Sequence, residues 1–96
     1  MPERAVGIQE IGKRASEAIG TLLNKKVESV VSMSKETEGW KIVVEVLERR
    51  AVPDGQDLLG RYELTLNGEG GLLGYKQVLV RRRQDRLGID FVETKQ

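Results

Sequence analysis

Over residues 3–25 the apolar positions Ile8, Ile11, Ala15, Ala18, Ile19, Leu22 and Leu23 recur at three- and four-residue spacing, with Lys13, Arg14 and Glu17 between them. That period gathers the apolar groups on one side of an α-helix and the charges on the other, so the spacing predicts an amphipathic helix. Gly7, Gly12 and Gly20 each lower its intrinsic stability, by up to about 1 kcal/mol relative to Ala. The helix is therefore expected to depend on docking against other structure. Its polar face is mixed in sign rather than basic, which favours a sheet over a membrane surface as the thing it docks on.

After Asn24 the period changes to two. Residues 27–35 (VESVVSMSK) read as a short strand with Val27, Ser29, Val31 and Met33 on one face and Val30 on the other. A polar turn at 35–39 leads into WKIVVEVLERR, where Trp40, Ile42, Val44 and Val46 alternate with Lys41, Val43, Glu45 and Leu47. One face of this second strand is apolar, and Trp40 reads as a core anchor at its start. Residues 60–66 repeat the pattern, with Tyr62, Leu64 and Leu66 opposed to Arg61, Glu63 and Thr65. Asn67-Gly68 opens a hairpin turn, and residues 72–82 return as a last strand with Leu73, Tyr75 and Leu79 opposed to Val78 and Val80.

The predicted fold class is α+β: an N-terminal amphipathic helix packed on one face of a four-stranded antiparallel β-sheet, in an α-β-β-β-β meander. The chain reads as a single domain, 1–96, with its core at about 5–83. Leu87, Ile89, Phe91 and Val92 stand among charges in a tail, 84–96, that is expected either to fray or to dock on the domain or a partner.

Charge and composition change this picture mainly by exclusion. Sixteen Lys and Arg against fifteen Asp and Glu give a net charge of +1, so no overall field steers the chain to nucleic acid or membrane. Electrostatic recognition must come from local patches. The longest apolar runs are a few residues, as at Ile42-Val43-Val44, so neither a signal peptide nor a bilayer span is expected, and the reading is a soluble, cytoplasmic protein.

Cysteine and histidine are both absent. This removes disulfides, thiolate chemistry, the commonest general base and the commonest metal ligands. Ser16, Ser29, Ser32 and Ser34 have no histidine to activate them. The glycines at 68–71 lie between two strands and lack the helix that a phosphate loop requires. Asp54 and Asp57 lack the further acidic positions of a calcium loop. No catalytic residue, cofactor, metal or small-molecule substrate is expected.

Two stretches remain with chemistry to account for. The connector at 49–57 and the start of the following strand hold Arg49, Arg50, Pro53, Asp54, Asp57, Leu58, Leu59 and Tyr62. They read either as a partner surface, with charge-assisted hydrogen bonds around a leucine anchor, or as a turn stiffened by Pro53 in which Arg49 pairs with Asp54 or Asp57. The run Arg81-Arg82-Arg83, together with Arg61, is the candidate nucleic-acid contact, or else the run is a solvated strand end guarding a sheet edge.

The segment GWKIVVEVLERR (39–50), then Val52-Pro53-Asp54, Asp57-Leu58-Leu59, Arg61-Tyr62-Glu63-Leu64 and LLGYKQVLVRRR (72–83), resembles the gas vesicle protein O family in the order and spacing of its motifs. The resemblance covers about residues 39–83, with a compatible helix ahead of them. It implies a cytoplasmic accessory protein of gas vesicle formation, with some association with the vesicles, that partners other gas vesicle proteins to assist assembly. A regulatory role in expression is also attached to the family, which keeps nucleic acid as the alternative partner through Arg61, Arg81, Arg82 and Arg83. The open edges of a four-stranded sheet make a homodimer a further expectation.

Overall fold

The computed structural model describes residues 7–84. Within them α1 (Ile8–Leu23) is followed by β1 (Val27–Glu36), β2 (Gly39–Arg49), a short 3₁₀ turn (Asp54–Gln56), β3 (Leu58–Asn67) and β4 (Leu72–Arg82). The strands lie in the order β1-β2-β3-β4 and every neighbouring pair is antiparallel, so the chain has the α+β meander that its periodicities predict. The expected helical residues before Gly7 and the tail after Gln84 lie outside the described residues.

α1 stops where its sequence supplies an αL residue. Asn24 adopts φ 56°, ψ 47°, its N–H bonds to the Thr21 carbonyl at 3.2 Å, and Lys25 N–H bonds to Gly20 at 3.1 Å. Those bonds satisfy carbonyls that the helix end would otherwise leave open. The buried stripe of Ile11, Ala15 and Ile19 packs on Ile42, Val44 and Val46 of β2 and on Tyr62, Leu64 and Leu66 of β3. Each fully buried Ile, Leu or Val contributes roughly 1.5–3 kcal/mol, which offsets the glycines in the helix. Gly12 lies against Met33: a Cβ there would stand 3.4 Å from its sulfur, an ordinary packing contact between α1 and β1.

The helix is also tied at its other half. Arg14 donates to the Glu69 carbonyl at 2.8 Å, fixing α1 to the β3–β4 turn. In that turn Asn67 Oδ1 accepts the N–H groups of Glu69 and Gly71, both at 2.9 Å, and Gly70 takes the positive φ of 93°. This is the asparagine chemistry expected of the turn.

Two face assignments differ from the sequence reading. In β1 the register shifts at Glu28 and again at Val31, so that Val30 opposes the core residue Val44 and Met33 opposes Ile42. The helix side of β1 is therefore Val27, Val30 and Met33, rather than Val27, Ser29, Val31 and Met33. In β4 the extra residues are Leu73 and Val78; Tyr75 opposes Leu64 on the helix side while Leu79 opposes Arg61 on the far side. Each bulge inserts one residue and reverses the alternation after it, which a strict period of two does not register.

Candidate functional site

On the face of the sheet away from α1, the described residues form ion pairs rather than a second layer. Glu45 sits in β2 directly opposite Arg61 in β3 and is 6% exposed. Arg81 grips both of its oxygens, at 2.8 and 2.9 Å, and Arg61 adds a third bond at 3.1 Å. Burial alone would raise the Glu45 carboxyl, but the hydrogen bonds from Arg81 and Arg61 outweigh it and hold the group below the ordinary carboxylate value. Leu47 and Leu59 lie opposite each other on the same face and are both buried.

The connector at 50–57 folds around Asp57, which is 3% exposed. Its Oδ1 accepts the Ala51 N–H at 2.7 Å and its Oδ2 accepts two bonds from the Arg83 guanidinium, at 3.1 and 3.2 Å. The bond from the Ala51 backbone is the main reason the Asp57 carboxyl is held low, with Arg83 acting in the same direction against burial. The backbone repeats the tie: Arg83 N–H bonds to the Asp57 carbonyl at 2.8 Å and Gln84 N–H to the Gly55 carbonyl at 3.0 Å. Within the loop, the N–H groups of Gln56 and Asp57 bond back to Pro53 and Asp54, each at 2.9 Å, and the Val52–Pro53 peptide is cis. The expected pairing of Arg49 with Asp54 or Asp57 is therefore replaced by Arg83 with Asp57. Arg83 reaches Asp57 because β4 delivers it beside the connector, with both its backbone and its side chain in position.

On the helix side, Glu48 collects Lys25 Nζ and Tyr62 Oη, and Gln77 Nε2 donates to it at 2.9 Å. It fits because Gly60 lies beneath it; a Cβ at Gly60 would collide with the Glu48 carboxylate. Burial works to raise Glu48, and the hydrogen bonds from Lys25 and Tyr62 overcome it and lower the group. The same bond, added to the burial of the phenol, pushes Tyr62 up to about 12.

The predicted site residues thus separate into two sets. Asp57, Leu59 and Tyr62 are buried, whereas Arg49, Arg50, Pro53 and Asp54 are exposed and Leu58 is half-buried. Val52, not among the sequence candidates, is 97% exposed at the tip of the loop. Of the arginines considered for nucleic acid, Arg61 and Arg81 hold Glu45 while Arg83 holds Glu28 and Asp57. Arg82 is exposed and forms no ion pair with a described residue. The carboxylates that occupy these arginines were missed as a set. Their signal is a lone acid, Glu45, inside the apolar run IVVEVL.

The arrangement is suited to holding a loop in one shape and presenting its tip. Among the described residues no group of three or more His, Cys, Asp or Glu could hold a metal ion, and no helix is long and apolar enough to cross a membrane. Two open clefts of about 270 Å³ lie at the other end of the sheet, one lined by Lys41, Glu63 and Tyr75 and one by Trp40, Leu66 and Leu73. Neither adjoins the connector.

Comparison with known proteins finds a family model, described as gas vesicle synthesis protein GvpO, that matches residues 1–88. Gas vesicle protein O1 of Halobacterium salinarum is 49% identical over 72 residues, which is 75% of this chain and 60% of that protein. Gas vesicle protein O of Haloferax mediterranei is 40% identical over 85 residues, 88% of this chain and 61% of that protein. Gas vesicle protein O of a Streptomyces species is 40% identical over 72 residues, 75% of this chain and 54% of that protein. The chain spans somewhat over half the length of these curated relatives. No solved structure matches.

Proposed function

The chain belongs to the gas vesicle synthesis protein GvpO family, and from that premise we propose that it acts in gas vesicle formation as a non-enzymatic accessory protein that binds other gas vesicle proteins and assists their assembly. The observation that carries this reading is the connector: its base is fixed by Asp57 and Arg83, while Arg50, Val52, Pro53 and Asp54 face solvent. A loop already held in one shape loses little conformational entropy when a partner covers it, so its contacts convert more fully into affinity.

Nucleic-acid regulation has less support. It would draw on Arg61, Arg81, Arg82 and Arg83, and three of these already hold carboxylates within the domain. The place of action that fits the reading is the cytoplasm, where vesicle proteins are assembled.

The test is a pairwise binding screen of this protein against the other gas vesicle proteins of its own organism. The double variant Arg50→Glu/Val52→Asp should lose at least one partner while its circular dichroism spectrum and melting temperature stay as in the parent. If every partner binds the double variant as well as the parent, the connector is not the surface.

A further inference from the structure

At the connector end of the sheet, Arg49 in β2 stands opposite Leu58 in β3, and Leu58 stands opposite Arg82 in β4. The register therefore sets two arginines on either side of one leucine across three adjoining strands. At two strand spacings their backbones are about 10 Å apart. Both arginines are exposed, and neither forms an ion pair with another described residue. Leu58 between them is half-buried, and Val80, two residues back along β4 on the same side, is 45% exposed. α1 does not cover this row: it ends at Leu23, and Lys25 just beyond it binds Glu48, the residue before Arg49.

Two like charges carried on strands this close repel, and at physiological salt the screening length is about 8 Å, so the repulsion is reduced but not removed. It is relieved when carboxylates arrive. The fork of a guanidinium suits a carboxylate, and an apolar side chain placed between two such acids would rest on Leu58 and Val80. We propose that the row Arg49–Leu58–Arg82 docks an acidic segment of a partner protein in which two carboxylates flank an apolar side chain. This rests on the interaction-module reading above and supplies the chemistry of the partner.

Other occupants fit less well. A nucleic acid would gain from stacking on aromatic groups, yet Tyr62 is buried and the row itself offers leucine and valine. A second copy joined through β4 would bring cation towards cation, since residues 72–82 carry Lys76, Arg81 and Arg82 with no acid.

The experiment uses the full chain and, as probes, each purified gas vesicle protein of the same organism, an RNA oligonucleotide and a DNA duplex. Arg49→Glu and Arg82→Glu should each weaken the protein partner about tenfold, as expected for the loss of one charge-assisted bond. The double change should weaken it further, and the parent affinity should fall as salt rises. Lys13→Glu, on the exposed side of α1, alters net charge equally and should matter much less. The melting temperature should hold in all three variants, because neither row arginine has an ion pair with another described residue to lose. Replacing the partner's acids by their amides should reproduce the loss. If the partner responds to Arg50→Glu/Val52→Asp but not to Arg49→Glu or Arg82→Glu, this inference is overturned while the connector reading stands. If no gas vesicle protein binds the parent, the interaction-module reading itself fails. Capture of the RNA, the DNA or a second copy through Arg49 and Arg82 would likewise overturn an acidic protein segment as the occupant.

Discussion

Arg83 and Glu28 lie 55 residues apart, beside opposite edges of the sheet in strand order, yet two hydrogen bonds of 2.8 and 3.0 Å join them. Glu28 is the residue that the first bulge of β1 displaces from register, and Arg83 follows the last residue of β4. The same guanidinium holds Asp57. One cation therefore ties both edge strands to the connector, and its bonds are the first cause of the lowered Glu28 carboxyl.

Removing that cation should free the connector before it unfolds the domain. In Arg83→Gln the Ala51 amide, bonded to Asp57 Oδ1, should exchange with solvent roughly tenfold faster, as expected when a local opening becomes easier. The amides of Ile42 and Leu64 in the centre of the sheet should change far less. Hydrogen exchange read by mass spectrometry distinguishes the two regions, and an unchanged Ala51 would refute the tie.

Glu45 predicts a stability effect without a functional one. Glu45→Ala leaves Arg61 and Arg81 facing each other across the far side of the sheet. The expected loss is roughly 2–3 kcal/mol, below the usual cost of breaking a buried pair because both arginines still reach water. Glu45→Gln, which keeps the shape and part of the hydrogen bonding, should lose less. Urea unfolding of the two variants gives the comparison.

Two glycines should differ in how they fail. A Cβ at Gly39, the first residue of β2, would strike the Leu66 carbonyl of the paired strand, and hydrogen-bonded backbone yields less readily than a side chain. Gly39→Ala should cost about 1–3 kcal/mol, the range for overpacking. Gly60→Ala first meets the Glu48 side chain, which can swing away at the expense of its bonds to Tyr62, Gln77 and Lys25. Its clearest sign should be a Tyr62 that ionises at lower pH, followed by ultraviolet difference titration.

The pH dependence has two limbs with opposite signs. Glu28, Glu45, Glu48 and Asp57 are all lowered in the folded state, so their contribution is complete above the ordinary values of 4.5 and 3.8 and is lost as pH falls through the folded ones. Tyr62 is raised, so its contribution is complete below 10.0 and is lost as pH rises towards about 12. Melting temperature should therefore be level near neutrality and fall on both sides. Tyr62→Phe should lower the neutral level and flatten the part of the alkaline fall that belongs to this phenol.

The amino-acid sequence by itself determines the element order, the meander and the apolar stripe of α1, because these follow from local periodicity and turn chemistry. Ile11, Ala15 and Ile19 meet Ile42, Val44, Leu64 and Leu66 as a 3.6 period meeting a period of two must. The connector stands out in sequence for its Arg, Asp and Pro, but its division into a fixed base and an exposed tip does not. That division depends on Arg83, which is 26 residues from Asp57. Tertiary structure alone decides which charges are used up, since Glu45, Glu28 and Asp57 find their arginines across strands and past bulges that no pattern along the chain records. It also leaves Arg49 and Arg82 without such partners among the described residues, on either side of Leu58, because register is a relation between strands and not a property of any one of them.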